Sequence, residues 1–170
     1  MTNWRGIALL LALALGACMA PAQPERGAVG VSAPDEQTVY VIRHLQKAQG
    51  DDPVLTSEGA ANAQVLASIL EDANITGIYS TPTRRTMQTG APLAGRIGVE
   101  ITPYDPRNPD ALVAAVRAGD GSVLVVGHSN TVGDLITRFG GNAAPELTEQ
   151  DYGTLFVVAA DGTVSEIEVE

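Results

Sequence analysis

The chain contains two histidines, His44 and His128, and each follows a short apolar run with one residue between. The first run, residues 38–42, continues into Arg43 and His44, and the second, residues 122–126, into a glycine and His128. Both runs are rich in β-branched side chains and precede polar, helix-starting sequence, which is typical of buried parallel strands. Ligands of such sheets bind beyond the carboxyl ends of the strands. A single histidine there is usually structural, but two together, with an arginine before the first, predict an anion-handling active site.

Three motifs in this order resemble the histidine phosphatase (phosphoglycerate mutase-like) superfamily. They are Arg43-His44 after the first strand, the segment STPTRRTMQT at residues 80–89, and the segment GHSN at residues 127–130. The middle segment is similar to the S-x-P-x-x-R-x-x-x-T pattern that follows the second strand in that family. The motifs lie between residues 38 and 138, and the short chain is most similar to the small phosphohistidine-phosphatase type.

The residues after His44 depart from the family pattern. The family usually has Gly or Ala directly after this histidine, often followed by Glu, whereas this chain has Leu45 and Gln46, followed by Lys47. A bulky Leu45 either narrows the mouth of the pocket or turns the loop differently. The departure leaves open the substrate range and the level of activity, although not the fold.

The resemblance implies a role for each motif residue. His44 is expected to be the nucleophile that forms a phosphohistidine, and it must be neutral to attack. Arg43, Arg85 and His128 are expected to bind the phosphate oxygens, for which the planar arginine fork is well suited. The two arginines also disfavour the charged form of His44 and so lower its pKa. Arg84 is expected to lie at the rim.

Further donors and a proton source are expected near these residues. The backbone N–H groups of Ser129 and Asn130, which open a helix, add possible phosphate donors. A general acid in many members of the family follows the third strand, where this chain has Asp105. An aspartate before a proline is also common in plain turns, so both readings of Asp105 stay open. No metal or other cofactor is expected, because the histidines and carboxylates lack metal-ligand spacing.

The N-terminus predicts export. Residues 1–17 have a short basic start and an apolar run too short to span a bilayer, which is typical of a signal peptide. The segment LGAC at residues 15–18 has the pattern of a bacterial lipobox, and Cys18 is the only cysteine of the chain. The alternative is an ordinary signal peptide with a chance cysteine. We expect lipidation at Cys18, a flexible tether over residues 18–36, and a catalytic domain over residues 37–170 of a membrane-anchored, periplasm-facing lipoprotein.

Composition restricts the partners. The formal net charge of −10 argues against nucleic-acid binding, which needs a basic face. A local basic spot on an acidic body fits the capture of one phosphate group. We therefore expect a phosphorylated small molecule or phosphoprotein as substrate, and contact with the membrane through the lipid on Cys18.

Strand and helix patterns alternate, which predicts an α/β three-layer sandwich with a mostly parallel sheet and an antiparallel C-terminal edge. The helix that starts near Arg84 is expected to be interrupted at Gly90 to Pro92. Asp161-Gly162 predicts a two-residue hairpin. Predicted strands are residues 38–42, 75–79, 99–104, 122–126, 155–160 and 163–169, and predicted helices are residues 57–72, 84 onward, 109–118 and 131–139.

The sequence as a whole predicts a metal-independent phosphatase that acts through a phosphohistidine on phosphomonoesters or related phospho-compounds. The alternative is a non-catalytic member of the same fold that binds phospho-ligands or proteins, which only Leu45 and Gln46 support. A phosphoglycerate mutase is disfavoured because an exported lipoprotein would not meet a glycolytic intermediate. A metalloprotein with His44 and His128 as ligands is disfavoured most.

Overall fold

The computed structural model describes Met1, residues 37–143 and residues 145–170. The predicted signal peptide, the lipidation residue Cys18 and the tether lie outside these residues, apart from Met1. Within the part of the chain that the structure describes, no helix is both long and apolar enough to cross a membrane.

Six strands form one sheet, in the order β3-β2-β4-β1-β5-β6. The first four strands of this order run parallel, whereas β5 and β6 are antiparallel to their neighbours. The predicted mostly parallel sheet with an antiparallel C-terminal edge is therefore confirmed. The edge strand β3 is shorter than predicted and pairs only with β2. The strands are β1 (Val39–Arg43), β2 (Ile75–Ser80), β3 (Ile101–Pro103), β4 (Ser122–Gly127), β5 (Thr154–Val158) and β6 (Val164–Glu168).

Two pairs of helices cover the two faces of the sheet and complete three layers. Buried residues of α1 and α2 pack on one face, and those of α3 and α4 on the other. Side chains of β1 alternate between the two cores: Ile42 belongs to the first and Val41 to the second. The central strands are thus buried on both sides, as their continuous apolar runs predict. The helices are α1 (Ser57–Leu70), α2 (Arg84–Ile97), α3 (Pro109–Arg117) and α4 (Ser129–Arg138).

The predicted break in the second helix is wrong. Helix α2 is continuous and contains Pro92, which removes one hydrogen bond of the helical ladder. Its buried face, which includes Gly90 and Leu93, outweighs this loss. The helix lies close to the sheet, because a Cβ atom on Gly90 would be 3.3 Å from Ile78 Cγ2. Tertiary packing thus overrides the local preference of proline.

The C-terminal hairpin is present, but its loop is one residue longer than predicted. Ala159 N–H donates to Thr163 O at 3.0 Å, and Gly162 N–H donates to Ala159 O at 2.9 Å. Residues 160–162 therefore form a three-residue loop, in which Gly162 has φ +85°. Glycine adopts this left-handed conformation without steric cost, which explains its place at the end of the loop.

Candidate active site

The two histidines lie at the ends of neighbouring strands. Strand β1 pairs with β4 in parallel register, so that Arg43 lies opposite Gly127. His44 N–H donates to Gly127 O at 3.0 Å, which extends the ladder by one residue. The rings of His44 and His128 are 5.5 Å apart between centroids, in an edge-to-face arrangement. The structure thus brings both imidazoles into one crevice at the carboxyl edge of the sheet.

The ring of His44 is held in one tautomer. Its Nδ1 atom lies 2.8 Å from Leu45 O, and a carbonyl oxygen only accepts, so Nδ1 carries the proton. The Nε2 atom consequently keeps its lone pair. The pKa of His44 is lowered to about 4, chiefly by burial and in smaller part by Arg43, Arg85 and His128, while the bond to Leu45 O opposes this change. His44 is therefore neutral at pH 7.

His128 is neutral for the same reasons but has the opposite tautomer. Its Nε2 atom lies 2.9 Å from Thr81 Oγ1, and its Nδ1 atom 3.5 Å from Arg85 Nη2. Because a guanidinium only donates, Nδ1 is the acceptor and the Nε2–H group donates to Thr81. Burial lowers the pKa of His128 to about 4, with smaller contributions from Arg85 and Arg43.

The guanidinium of Arg43 is almost fully buried, with 2% of the residue exposed. Its Nη1 atom donates to Thr148 O at 2.7 Å and to Asp151 O at 2.9 Å. Its Nη2 atom lies 3.2 Å from Glu149 Oε2. The Cζ atom lies 4.0 Å from the ring centroid of Tyr152, a distance suited to a cation–π contact. A single loop, residues 148–152, therefore fixes the orientation of this arginine.

Arg85 lies in the crevice, whereas Arg84 beside it is exposed. Arg85 Nη1 is 3.7 Å from Asp52 Oδ1, and Arg85 Nη2 contacts His128 as described. The backbone N–H of Arg84 donates to the same Asp52 oxygen at 3.0 Å. The first turn of α2 thus directs one arginine to the site and leaves the other at the surface.

Two guanidinium nitrogens have no protein partner. The Nε atoms of Arg43 and Arg85 are buried without a hydrogen-bond acceptor among the described residues. Buried polar groups are nearly always paired, and each unpaired one costs about 1–3 kcal/mol. The two arginines thus place buried positive charge and unused hydrogen-bond donors near the two histidines, which favours an anionic ligand.

Ser129 and Asn130 begin helix α4, two residues earlier than predicted, so their backbone N–H groups lie at its N-terminus. That terminus directly follows His128, where the helix dipole favours an anion. The side chain of Ser129 donates to Glu149 Oε1 at 2.6 Å. The structure therefore places both predicted donors at the crevice, with Ser129 tied to the loop that holds Arg43.

Asp105 lines a cleft beside His128. The cleft has a volume of about 540 Å³. The carboxylate of Asp105 pairs with Arg107, with two distances of 3.0 Å to Nε and Nη2. The hydrogen bonds from Arg107 lower the pKa of Asp105, which is therefore ionised at neutral pH. The backbone N–H of Arg107 also donates to Asp105 at 2.9 Å, as in an ordinary Asx turn. The cleft is lined by Thr81, Pro82, Thr83, Pro103, Tyr104, Asp105, Pro106, Arg107 and His128.

The unusual residues after His44 point away from the crevice. Leu45 is fully buried in the core under α1 and α2, and its N–H donates to Thr89 Oγ1 at 3.1 Å. The backbone of Gln46 lies against Gly59, where a Cβ atom would be 2.2 Å from Gln46 O. Of the two expectations for Leu45, the narrowed mouth is therefore contradicted, because the side chain packs into the core.

Several residues at the site were not predicted from the sequence. Glu149 and Tyr152 contact Arg43, Thr81 bonds His128, and Asp52 lies beside Arg85. Thr81 lies inside the middle motif, residues 80–89, so the motif could have indicated that this residue belongs to the site. The other three lie in loops without periodicity, and their contacts span sequence distances that no local pattern encodes. Within the described ranges, no three side chains of His, Cys, Asp or Glu come together as a metal site.

Comparison with known proteins gives a consistent result. Residues 37–108 match the family model described as histidine phosphatase superfamily, branch 1. The protein histidine phosphatase SixA, solved with tungstate, is similar with TM-score 0.61 and 20% identity over 76% of this chain and 94% of that chain. No curated protein sequence matches significantly.

Two further solved structures of similar fold have different activities. A mycobacterial glucosyl-3-phosphoglycerate phosphatase has TM-score 0.60 and 15% identity, over 78% of this chain and 98% of its own. A phosphoglycerate mutase from Bacillus anthracis has TM-score 0.59 and 16% identity, over 80% of this chain and 93% of its own. At these identities the likeness shows the fold, and the fold is shared by phosphatases and a mutase.

Proposed function

We propose that this chain is a member of the histidine phosphatase superfamily, whose family model matches residues 37–108, and that it is a phosphoric monoester hydrolase; the small SixA-like type is among its structural neighbours. The family and fold support a phosphatase or mutase-like enzyme. The finer proposal is a metal-independent phosphatase that uses His44 as a covalent nucleophile. The observation that carries it is a neutral, buried imidazole with Nδ1–H held by Leu45 O and a free Nε2 lone pair, beside two arginines.

The proposed reaction has two steps. His44 Nε2 attacks phosphorus while the bond from phosphorus to the leaving group breaks, and that group departs with the bonding electron pair and takes its proton from water. Water then attacks the phosphohistidine, which releases phosphate and regenerates neutral His44. The Nε–H groups of Arg43 and Arg85 and the N-terminus of α4 supply fixed positive charge for the phosphoryl oxygens. Such donors stabilise charge that develops in the transition state without costly rearrangement.

The proposed substrates are phosphomonoesters or related phospho-compounds, on a small molecule or a protein. Asp105 is ionised and paired with Arg107, so it is a poor proton donor in this arrangement. A substrate whose leaving group needs little protonation, such as an aryl phosphate or a phosphoramidate, therefore suits the site best.

The rival is a non-catalytic member that binds phosphorylated ligands. Its support was the replacement of the usual small residues by Leu45 and Gln46. Leu45 packs into the core and Gln46 against α1, and the rings of His44 and His128 still lie 5.5 Å apart, which supports the catalytic proposal over this rival. The rival therefore loses its specific support.

A turnover assay tests the proposal. The full chain is expected to hydrolyse nitrophenyl phosphate at the same rate with and without a strong chelator such as EDTA. Phosphate binding without turnover would favour the non-catalytic rival. Loss of turnover on chelation, with recovery on adding back a divalent cation, would overturn metal independence.

We also propose that the protein is exported and anchored to a bacterial membrane by lipid on Cys18. The support is the lipobox-like segment at residues 15–18 after an apolar run. Stable anchoring needs at least two lipid signals, such as multiple acylation of one residue. Cys18→Ser is expected to release the protein from the membrane fraction or to block its processing. Unchanged fractionation of this variant, together with a wild-type N-terminus that carries no lipid in mass spectra, would contradict the anchor.

A further inference from the structure

The loop of residues 148–152 contacts Arg43 in three ways. Two backbone carbonyls, of Thr148 and Asp151, accept from Nη1, and the ring of Tyr152 covers the guanidinium face. The contact of Glu149 differs from these because it is made by a flexible side chain that is 68% exposed. Arg43 would therefore stay oriented by the loop even if Glu149 moved away.

Glu149 joins two residues of the predicted phosphate site, Arg43 and Ser129, the second through its side-chain hydroxyl. Its Oε2 atom lies 3.2 Å from Arg43 Nη2, and its Oε1 atom accepts from Ser129 Oγ at 2.6 Å. The carboxylate thus spans from the end of β1 to the N-terminus of α4. A phosphoryl group approaching these elements presents the same chemistry, anionic oxygens that accept from a guanidinium and a helix N-terminus. The hydrogen bond from Ser129 and the charge of Arg43 lower the pKa of Glu149, so the carboxylate is ionised.

The same position makes the carboxylate easy to displace. The departing carboxylate is solvated by water, because 68% of the Glu149 side chain is exposed, and the buried Arg43 stays paired when a phosphoryl group takes its place. The buried Nε atom of Arg43, in contrast, has no hydrogen-bond acceptor among the described residues. A phosphate that takes the place of Glu149 gains donors that the carboxylate leaves unused.

We propose that Glu149 is an internal competitor for phosphate: in the ligand-free site its carboxylate occupies Arg43 and Ser129, and a phosphoryl ligand binds only by displacing it. The inference rests on the proposed function and deepens it. The competition lowers the affinity for every phosphoryl ligand by the same factor. A substrate recovers affinity through contacts of its leaving group in the cleft beside His128, whereas the inorganic phosphate product has no such contacts. Glu149 thereby favours product release.

A purely structural role for Glu149 makes the opposite prediction. If Glu149 only positioned Arg43, then removing its charge would loosen the arginine and weaken phosphate binding. If it competes, then the same change frees a binding-competent site and strengthens phosphate binding, because the apparent dissociation constant scales inversely with the competent fraction. The direction of the change separates the two roles.

The test is the calorimetric dissociation constant of inorganic phosphate for the full chain. Glu149→Gln, which keeps the side-chain length, is expected to bind phosphate about five- to tenfold more tightly than the wild type. Glu149→Ala is expected to change in the same direction. Glu146→Gln is the matched control, since Glu146 is exposed in the same loop and makes no ion pair within the described residues, so binding should change less than about twofold.

The kinetic counterpart is that Glu149→Gln lowers KM for nitrophenyl phosphate and Ki for phosphate by the same factor. Unchanged or weaker phosphate binding by both Glu149 variants would overturn the proposal, as would an equal gain in Glu146→Gln, which would indicate a general charge effect. Phosphate binding by none of the proteins would also overturn it. Because the binding comparison needs no turnover, a failure of the proposed phosphatase activity would be visible separately.

Discussion

The two sides of the crevice are built very differently. On the strand side, Arg43, His44 and His128 lie at paired strand ends, and each is held by hydrogen bonds to the backbone or to a neighbouring side chain. On the cleft side, the side chains of Asp105 and Arg107 pair only with each other within the described part of the chain, and Arg107 is 88% exposed. Exposed ion pairs are weakly held, whereas the buried side is preorganised. We therefore expect the buried strand side to bind the phosphoryl group in a fixed geometry. The exposed cleft side would contact the leaving group and can adapt to its shape.

The largest expected effect is on the strand side. His44→Ala removes the nucleophile, so kcat on nitrophenyl phosphate should fall by at least about 10⁴-fold. Turnover by freshly purified protein is the measurement, and unfolding curves of the same sample show that the fold is retained. A rate within tenfold of the wild type would rule out His44 as the nucleophile.

The pair of adjacent arginines offers an internal control for phosphate binding. Arg85→Ala removes a donor from the crevice and should lower kcat/KM by about 10²- to 10³-fold, through weaker stabilisation of transition-state charge. Arg84→Ala removes the same charge one residue away at the surface and should cost far less. Similar losses in both variants would mean that overall charge, rather than placement by α2, carries the effect.

Leu45 is expected to contribute to the stability of the core and not to activity in the crevice. Leu45→Ala creates a cavity under α1 and α2 and should lower the free energy of unfolding by about 2–5 kcal/mol. Leu147→Ala, at a half-buried position, is the control and should cost less. Denaturant unfolding gives both values. Activity of the folded fraction should stay near that of the wild type, and a large gain in turnover would instead mean that Leu45 obstructs the pocket.

The buried histidines should make stability depend on pH. Their pKa values of about 4 lie below the ordinary value of 6.5, so unfolding takes up protons between these limits. Stability is full above pH 6.5 and falls as the pH drops towards 4, with an uptake of about two protons per molecule within this window. Thermal unfolding across the window should show a smaller fall for His44→Asn, and an equal fall in this variant would contradict the lowered pKa of His44.

The smallest effect is expected on the cleft side. Because Asp105 is ionised and tied to Arg107, Asp105→Asn should lower turnover of both alkyl and nitrophenyl phosphates by less than about tenfold. A general acid would contribute about 10²-fold or more on the alkyl substrate alone. A loss confined to alkyl phosphate would therefore assign the proton donor to Asp105 and would sharpen the role of the cleft side.

The contrast between the two sides also explains which features the sequence could predict. The strands β1 and β4 are continuous apolar runs, so their burial and the meeting of His44 with His128 follow from local pattern and sheet topology. The break at Pro92 was predicted wrongly because the local preference of proline is overridden by packing of α2 on the sheet. The Leu45 side chain likewise points into the core under α1 and α2, and this packing depends on the tertiary fold, which the local sequence does not specify.

The loop contacts of Arg43 were beyond local pattern. Glu149 and Tyr152 contact Arg43 although more than a hundred residues separate them in the sequence. Their loop has no periodic pattern that would predict these contacts. Asp52 meets Arg85 in the same way, from a loop rich in Asp and Gly. The residues that do the predicted chemistry were thus recognisable, whereas those that hold or neutralise them emerge only once the chain is folded.

The central claim, that His44 carries the phosphoryl group, is tested most directly by trapping the intermediate. Wild-type protein is mixed briefly with nitrophenyl phosphate, quenched under alkaline denaturing conditions that preserve phosphohistidine, digested and analysed by mass spectrometry. The account predicts a phosphoryl group on the peptide that contains His44, at the position of this residue, and none in His44→Ala. Phosphate found on His128 instead, or rapid turnover with no phosphorylated peptide at any quench time, would contradict it.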